Sequence, residues 1–584
     1  MSLLEVDKLC IGYGGDLAVD NLSFAIGRGE SVGLVGESGS GKTQTGLAIL
    51  GLLPATATLS GNIRVDDSEI VGADERALNA LRARRVAMVF QDPLQALNPY
   101  VRIGPQLRRI LLTHNISKGT AADQRMLEML DAVGLPDPFR QVRAYPHQLS
   151  GGMRQRVMIA AALIAEPELL IADEPTTALD VTVQAQVLEL LDELRRDTAL
   201  LLITHDLGIV AGHCERMLVI ERGRLVESGR TEDIFAAPAA DYTRQLLGAV
   251  PRLDAPSLPP PIASHQAEQL MAASGVCVSY KEAGSGPLNA VKSIDLSISA
   301  GETLAIVGES GSGKSSLVRA LLGLIPANAG TITFNGSVLS ADVQKRSLAA
   351  RRDLQLVFQD PLASLDPQWC VADIIAEPLT VHEAGLNRTQ RNKRVVKTLS
   401  QVGLSEAFLE RYPHELSGGQ AQRVAIARAL VLEPRVLVCD EAVAALDGSV
   451  RRQILDVLSE IQQRTGLSIL FISHDLAVVR AISHRVMVMY LGVLVELAPT
   501  AELYRKPRHP YTRALLDAVP VADPAAVRAR SSLRGEVPSI LHPPAGCPFH
   551  PRCTFAEDRC TIEAQSLRKV GQSEVACWRS EDVL

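Results

Sequence analysis

The sequence has no excess of basic residues, since its net charge is −7 and its isoelectric point is near 6.0. A protein that binds the nucleic-acid backbone needs a positive field, so this balance disfavours nucleic acid as a partner. The sequence also has no apolar run of the roughly 20 residues that a membrane-spanning helix requires. Its N-terminus, MSLLEVDKLC, lacks the charged and apolar regions of a secretory signal. We therefore expect a protein that is made and kept in the cytoplasm.

Aromatic residues are scarce, at 4% of the 584 residues, although the hydrophobic share is 47%. The apolar content is thus mainly aliphatic, which is typical of α/β layers with well-buried sheets. A single core stops growing at roughly 250 to 300 residues. The composition and length therefore predict more than one large α/β unit.

An internal repeat organises the chain, because the stretch GESGSGK occurs at residues 36–42 and again at residues 308–314. Other landmarks recur at an offset of about 270 residues, which predicts two copies of one domain. The segment between the copies contains three consecutive prolines and reads as a linker. The predicted divisions are domain 1 over residues 1–250, a linker over 251–270, domain 2 over 271–521 and a C-terminal extension over 522–584.

Each copy carries the full GxxxxGK[ST] pattern, placed between an apolar strand-like run and a helix-like segment. Glycines let the backbone N–H groups surround an anion, and the following helix adds its positive dipole end. Lys42 then reaches the outer phosphates and Thr43 ligates magnesium. A plain glycine-rich turn would not require lysine and a hydroxyl residue twice. The predicted loop residues are Gly36, Ser38, Gly39, Gly41, Lys42 and Thr43, and Gly308, Ser310, Gly311, Gly313, Lys314 and Ser315.

Two carboxylates end an apolar strand in each copy, in LLIADE and VLVCDE. Strand ends of this kind open onto the ligand crevice of an α/β sheet. Asp173 and Asp440 are predicted to hold magnesium, and Glu174 and Glu441 to polarise the attacking water as general bases. Solvated acids at a strand end are the simpler alternative, but the duplication argues against it. His205 and His474 follow a third strand and are predicted to contact the γ-phosphate.

The stretches LSGGMRQR at 149–156 and LSGGQAQR at 416–423 resemble the signature of ATP-binding cassette (ABC) ATPases. The order of loop, glutamine, signature, carboxylate pair, ALD turn and histidine matches that family in both copies. The resemblance implies an α/β fold of two P-loop NTPase nucleotide-binding domains, each with a helical subdomain, plus a small cysteine-rich tail.

The family pattern implies a head-to-tail pair of domains with two ATP molecules between them, so that each signature serves the loop of the other copy. It implies catalytic roles for Glu174, His205, Glu441 and His474, and magnesium ligation by Thr43, Gln91, Asp173, Ser315, Gln359 and Asp440. Tyr13 and Tyr280 match the adenine-stacking position, although either fits an ordinary strand aromatic. The remaining ATP-binding residues it implies are Ser150, Gly151, Gly152, Asp180, Ser417, Gly418, Gly419 and Asp447.

Both copies keep the catalytic glutamate and the histidine, which predicts two hydrolysis-competent sites. One departure stands out: the first copy reads DEPTTALD and the second reads DEAVAALD, without the usual Pro-Thr. We expect this change to alter the stiffness of the loop and not to remove the chemistry.

Two sequence motifs resemble those of the dipeptide and oligopeptide importer branch, some of whose members take up nickel. One is QDP followed by LNP or LDP, and the other is YTRQLLGAVP in the first copy and HPYTRALLDAVP in the second. The resemblance implies two integral-membrane permease subunits, an extracytoplasmic substrate-binding protein and a peripheral position on the cytoplasmic face of the inner membrane. The two ATPases of that branch are usually separate chains, so this chain resembles their fusion, which raises the effective concentration of each domain near the other.

Four of the nine cysteines lie near the C-terminus, at Cys547, Cys553, Cys560 and Cys577. Four thiolates suit a [4Fe-4S] cluster or a tetrahedral zinc ion. The spacing lacks the C-x2-C knuckles of zinc ribbons, and the importer resemblance implies an iron-sulfur cluster, with a zinc site or unligated thiols as the alternatives. The other cysteines, Cys10, Cys214, Cys277, Cys370 and Cys439, are interpreted as small buried hydrophobes.

Two other classes of ATP-binding cassette protein are alternatives to the importer. Twin-cassette ATPases that act on ribosomes carry a cysteine-rich N-terminus or a long charged helical linker, and this sequence has neither. ABC exporters commonly fuse the cassette to a membrane domain, which is also missing here. The importer interpretation is therefore favoured over both.

Overall fold

A computed structural model describes residues 2–177, 179–195, 197–250, 253, 269–281, 287–443, 446, 448–526, 533 and 535–582. The chain divides into two compact units. The first consists mainly of Met1–Leu179 and Val183–Val250, and the second mainly of Pro251–Val519 and Ala529–Leu584. Most of the predicted linker, residues 251–270, lies outside the described residues.

The first unit contains two sheets. Its strands are β1 Ser2–Tyr13, β2 Asp16–Gly27, β3 Ser31–Val35, β4 Ala57–Val65, β5 Ser68–Glu69, β6 Val86–Val89, β7 Leu169–Asp173, β8 Ala199–Thr204, β9 Arg216–Glu221 and β10 Arg224–Arg230. An antiparallel sheet has the order β2-β1-β4-β5, and a mixed sheet has the order β10-β9-β3-β8-β7-β6. Strands β3, β6, β7 and β8 are parallel and buried along their whole length, as their unbroken apolar runs predict.

The helices of the first unit cover the mixed sheet and build a helical subdomain. They are α1 Lys42–Ile49, α2 Glu75–Leu81, α3 Pro93–Ala96, α4 Ile103–Thr113, α5 Gly119–Ala132, α6 Pro138–Gln141, α7 Gly151–Leu163, α8 Val181–Arg195, α9 Leu207–His213, α10 Thr231–Ala236 and α11 Asp241–Ala249, with a 3-10 turn at Pro146–Gln148. Helices α4, α5 and α7 pack on one another through an apolar cluster that includes Leu107, Met126 and Val157. This cluster joins the subdomain to the sheet that carries the predicted site.

The second unit repeats this arrangement. Its strands are β11 Gln269–Tyr280, β12 Leu288–Ser299, β13 Thr303–Val307, β14 Ala329–Phe334, β15 Ser337–Val338, β16 Leu354–Val357, β17 Val436–Asp440, β18 Ser468–Ile472, β19 Arg485–Tyr490, β20 Val493–Pro499, β21 Arg568–Val570 and β22 Ser573–Val575. The antiparallel sheet has the order β12-β11-β14-β15, and the mixed sheet has the order β16-β17-β18-β13-β19-β20-β22-β21.

The helices of the second unit follow the same order as those of the first. They are α12 Lys314–Leu321, α13 Leu348–Asp353, α14 Pro361–Ser364, α15 Val371–His382, α16 Arg388–Gln401, α17 Gly418–Leu430, α18 Gly448–Thr465, α19 Leu476–Ile482, α20 Thr500–Arg505, α21 Pro510–Asp517 and α22 Asp558–Ile562. Short 3-10 helices lie at Val343–Lys345, Glu406–Phe408, Pro413–Glu415 and His550–Arg552.

The C-terminal segment is built into the second unit. Strand β22 pairs antiparallel with β20, with Val575 opposite Glu496, so the segment extends the mixed sheet by two strands. Cys547, Phe549 and Cys560 are buried in the same apolar cluster as the core of this unit. The C-terminal segment therefore shares a core with the rest of the second unit.

No helix within the described ranges combines the length and the apolar character that crossing a bilayer demands.

Candidate ATP sites and cysteine site

The predicted phosphate loop of each copy joins a buried parallel strand to a helix, β3 to α1 and β13 to α12. Gly36 packs so closely that a Cβ atom there would lie 2.2 Å from the carbonyl oxygen of Ile220. Gly41 has a φ of +93°, in the left-handed region that glycine adopts without strain. The sequence needs glycine at both places for the chain to turn so tightly.

The loop lysines lie at the centre of each loop. Lys42 Nζ donates to the carbonyl oxygens of Gly36 and Glu37 at 2.8 and 2.9 Å. Lys314 Nζ makes the same bonds to Gly308 and Glu309 at 2.8 and 3.0 Å. Burial lowers the pKa of Lys314, and the acidic groups around it act in the opposite direction.

Two of the three predicted magnesium ligands lie in contact in each unit, and the third, Gln91 or Gln359, bonds to the neighbouring glutamate. Thr43 Oγ1 donates to Asp173 Oδ1 at 3.2 Å, and Ser315 Oγ donates to Asp440 Oδ1 at 3.2 Å. Burial raises the pKa of Asp173 to about 6 and also raises that of Asp440. A hydroxyl and a carboxylate side by side supply hard oxygen donors, so each pair fits a Mg²⁺ ion that also takes phosphate oxygens.

Three side chains hold Glu174 in the first unit. Its carboxylate accepts hydrogen bonds from Gln91 Nε2 at 2.8 Å and Thr177 Oγ1 at 2.9 Å, and Nδ1 of His205 lies 2.9 Å away. Burial acts to raise the pKa of Glu174, but the bonds from His205 and Thr177 outweigh it and hold the pKa below its ordinary value. The carboxylate is therefore charged and oriented, as a general base requires.

Among the described residues, two side chains lie against Glu441 in the second unit. Gln359 Nε2 donates to its carboxylate at 2.7 Å, and Nδ1 of His474 lies 3.8 Å away. His474 and its charge hold the pKa of Glu441 below its ordinary value despite burial. Burial opposes protonation of His474, yet the carboxylate prevails and raises the pKa of that imidazole. Position 444, which corresponds to Thr177, is alanine and has no hydroxyl to donate.

Both glutamates share a backbone feature that sequence reasoning missed. Glu174 has a φ of +45° and Glu441 a φ of +50°, both in the left-handed region. This conformation is uncommon and strained for a residue with a Cβ atom. The N–H groups of both residues bond to the next strand, at Ile203 and Ile472, which fixes the turn. No sequence signal distinguishes such a residue from one in an ordinary loop.

The signature serines begin long helices, as the sequence predicts. Ser150 caps α7 and Ser417 caps α17, each accepting a backbone N–H three residues later. Both serines and the glycines after them, Gly151 and Gly418, are exposed, while Gly152 and Gly419 are half-buried. Exposed N–H groups at a helix start form a cradle for an anion. Asp180 precedes α8, and Asp447 lies outside the described residues.

The two candidate adenine-binding tyrosines end the first strand of each unit. The hydroxyl of Tyr13 bonds to Gln44 Oε1 at 2.5 Å, and that of Tyr280 bonds to Ser316 Oγ at 3.0 Å. Both partners lie in the first turn of the helix that follows the phosphate loop. The tyrosines therefore stand beside the loops, and their stacking on adenine stays a prediction.

The tyrosines of the two C-terminal motifs touch the phosphate loops, a role that the sequence analysis did not assign. The hydroxyl of Tyr242 accepts the N–H of Glu37 at 3.2 Å, and the hydroxyl of Tyr511 accepts the N–H of Glu309 at 2.9 Å. The repetition of YTR after each copy was the available signal.

The four C-terminal cysteines line one small cavity together with His509, Phe549 and His550. All four are free thiols. Burial, reinforced by the neighbouring cysteines, raises the pKa of Cys553 to about 11 and that of Cys577 to about 12. Thiol sulfur is the donor type that a sulfur-ligated metal group takes. Within the described residues, however, no set of three or more histidine, cysteine or acidic side chains is arranged to hold a metal ion.

The fold and these paired sites define a protein with two ATP-binding cassettes. The family model for ABC transporters matches residues 19–177 and 291–444, and the model for the oligopeptide/dipeptide transporter C-terminal region matches residues 226–281 and 495–560. The chain belongs to the ABC transporter ATP-binding proteins of the oligopeptide/dipeptide importer type, with two ABC domains. Its activity is that of this family, ATP hydrolysis coupled to import of peptide-type substrates.

Several curated proteins are similar over nearly the whole chain. The glutathione import ATP-binding protein GsiA of Pectobacterium atrosepticum is 45% identical, covering 90% of both chains. The peptidoglycan transport ATP-binding protein YejF of Agrobacterium fabrum is 46% identical, covering 88% of this chain and 96% of its own. Among solved structures, the dimeric post-hydrolysis state of the ATP-binding cassette MJ0796 bound to ADP and Pi is 28% identical, with a TM-score of 0.37. The match covers 40% of this chain and 99% of the MJ0796 chain. The predictions of two ABC-type α/β domains and of a transport ATPase are confirmed.

Proposed function

We propose that the chain hydrolyses two ATP molecules, one at each phosphate loop, and that residues 1–250 and 271–521 pair head to tail to do so. The observation that carries this proposal is the duplicated glutamate, Glu174 and Glu441, each bonded to a glutamine and facing a histidine. The exposed serine-glycine corners at Ser150 and Ser417 supply the anion cradle that each loop requires from the other copy.

The transport partners are two integral-membrane permease subunits and an extracytoplasmic substrate-binding protein. The chain then sits peripherally on the cytoplasmic face of the inner membrane. The relative named for import of glutathione, a tripeptide, supports a cargo of the short-peptide class. ATP binding closes the two halves, the closure changes the access of the permease, and hydrolysis lets the halves part.

The four-cysteine cavity is proposed to hold a [4Fe-4S] cluster, with a zinc ion as the alternative. Four free thiols on one cavity supply the donor set that such a cluster takes. Absorbance near 400 nm with about four irons per chain in anaerobically purified protein supports the cluster. A colourless protein that contains zinc, or no metal, contradicts it.

The ATPase proposal is tested with Glu174→Gln and Glu441→Gln, singly and together, in the full chain reconstituted with its permease subunits. Each single change should lower the steady-state ATPase rate and peptide uptake, and the double change should abolish both while ATP still binds. The exposed-surface change Glu574→Gln serves as the matched control. A single catalytic change that leaves turnover untouched shows that only one site hydrolyses ATP.

A further inference from the structure

The C-terminal tail, residues 547–577, reaches the second phosphate loop, residues 308–314, through one ion pair. Arg552 Nη1 lies 2.7 Å from Glu309 Oε2, and Arg552 Nη2 donates to Glu309 Oε1 at 2.9 Å. The two side chains are 2% and 1% exposed. The pair is thus bidentate and buried, which is the geometry in which a guanidinium fixes a carboxylate most firmly.

Arg552 belongs to the cysteine site by its position in the chain. It ends the 3-10 helix His550–Arg552 and immediately precedes Cys553. Nδ1 of His550, at the other end of that turn, lies 2.9 Å from the carbonyl oxygen of Cys547. A change in how the cysteines are held therefore moves the segment that carries the guanidinium.

The tail also supports the backbone of the same loop residue. The hydroxyl of Tyr511 accepts the N–H of Glu309 at 2.9 Å. The ring of Phe549 packs on Tyr511 and on Tyr490, with centroid distances of 5.3 and 5.4 Å. The side chain and the main chain of Glu309 are thus both held by groups that contact or belong to the tail.

The first cassette is built differently at the corresponding places. Glu37, which corresponds to Glu309, is half-buried instead of buried. Glu221 stands where the second unit has Tyr490. The four-cysteine sequence follows the second copy alone. The contact between the cysteine site and a phosphate loop is therefore a property of the second cassette.

We propose that Arg552 is a positioning residue for the second phosphate loop, through which the state of the four-cysteine tail sets ATP affinity at the second cassette and not at the first. The link to the cysteine state rests on the proposed metal site. Removing one partner of a buried ion pair leaves an unpaired charge, which is strongly unfavourable. The loop carrying Glu309 then shifts to hydrate its carboxylate, and the cradle for the phosphates is lost.

The test measures ATP binding by the full chain in two backgrounds. Lys42→Ala leaves binding to the second loop, and Lys314→Ala leaves it to the first. Arg552→Met should raise the Kd for ATP at least about tenfold in the Lys42→Ala background and by less than about twofold in the Lys314→Ala background. The exposed tail change Arg559→Met should alter neither. Equal effects in the two backgrounds, or no effect in either, overturn the proposal.

Two further measurements separate positioning from loss of folding. Arg552→Lys keeps the charge but not the bidentate geometry, so it should give an intermediate Kd with an unchanged melting temperature. Amide hydrogen exchange should speed up in residues 308–314 of the Arg552→Met protein and stay unchanged in residues 36–42. Protection that is lost equally in both loops shows general unfolding and contradicts a positioning role.

The link between the cysteines and Arg552 is tested by combining cysteine variants with Arg552→Met. Cys547→Ser with Cys553→Ser should weaken ATP binding at the second loop alone, and should cause no additional weakening when Arg552→Met is already present. Additive effects overturn the route through Arg552. Metal content of the parent protein is measured independently, so a chain without iron or zinc contradicts the proposed cluster while the Arg552 comparison still decides the positioning role.

Discussion

Oγ1 of Thr177 lies 2.9 Å from Oε2 of Glu174 and donates a hydrogen bond to it, whereas Ala444 holds the corresponding position after Glu441. Among the described residues, the two proposed catalytic carboxylates therefore have different hydrogen-bond donors. A hydrogen bond to a charged group contributes about 1.5 to 3 kcal/mol when both partners are well placed. Within the DEAVAALD departure, the replacement of the second threonine by Ala444 thus removes a hydrogen-bond donor.

We expect Thr177→Ala to lower hydrolysis at the first site about tenfold or more, because Glu174 keeps Gln91 and His205 but loses one orienting bond. The rate is measured in the Glu441→Gln background, where the first site alone turns over. The reciprocal Ala444→Thr, in the Glu174→Gln background, should raise the second-site rate. An unchanged rate in Thr177→Ala would show that the hydroxyl does not orient the base.

The core of each cassette was predictable because its signals are local or repeated. The phosphate loop, the apolar strand ending in Asp173 and the helix start at Ser150 each combine a short motif with a fitting element, and all recur in the second copy. The DEAVAALD departure was visible in sequence, but its consequence was not. That consequence depends on which oxygen Thr177 reaches, which tertiary packing decides.

The contacts that were missed all join residues far apart in the chain. Tyr511 follows Glu309 by 202 positions and Arg552 follows it by 243. Neither hydrophobic periodicity nor spacing encodes such a pairing, because the sheet and the tail must first be assembled. The left-handed backbone of Glu174 likewise occurs together with a bond from its N–H to the carbonyl oxygen of Ile203, which lies in another strand.

The motif tyrosines should matter unequally for nucleotide binding. Tyr511→Phe leaves the buried N–H of Glu309 without its acceptor. A buried donor without an acceptor costs about 1 to 3 kcal/mol. We therefore expect the Kd for ATP at the second loop to rise about tenfold. Tyr242→Phe is the matched change, and its effect should be smaller because Tyr242 is half-buried and its bond is 3.2 Å long. Binding is measured in the Lys42→Ala and Lys314→Ala backgrounds. A larger effect for Tyr242 contradicts this ranking.

Two glycines of the first loop should differ sharply in their tolerance of alanine. Gly36→Ala places a Cβ atom 2.2 Å from the carbonyl oxygen of Ile220, so the loop has to move and ATP binding there should be lost. Gly39→Ala meets no atom within 4 Å and carries only the strain of a φ of +79°. We expect it to weaken binding less than about tenfold, since such strain costs about 1 to 2 kcal/mol. Equilibrium binding in the Lys314→Ala background compares the two, and equal losses would show that strain and not the close approach dominates.

His509 should make the folded protein sensitive to acid. It is 1% exposed, and burial lowers the pKa of its imidazole from 6.5 to about 3. Above pH 6.5 the histidine is neutral in both the folded and the unfolded chain, so it adds no pH dependence. Between pH 6.5 and about 3, His509 is protonated in the unfolded chain and neutral in the folded chain. The free energy of unfolding therefore falls by up to about 1.4 kcal/mol per pH unit as pH decreases.

The variant His509→Asn removes this proton and offers a side-chain oxygen in place of Nδ1 of His509, which accepts the N–H of Tyr511 at 3.1 Å and caps α21. Denaturant unfolding at several pH values from 4.5 to 7 should give a shallower dependence for the variant than for the parent, by one proton at most. The same measurement on His147→Asn, which changes an exposed histidine, serves as the matched control. Equal slopes for His509→Asn and the parent would mean that His509 accepts its proton in the folded state, through a local opening of the packing around Phe549 that burial alone does not prevent.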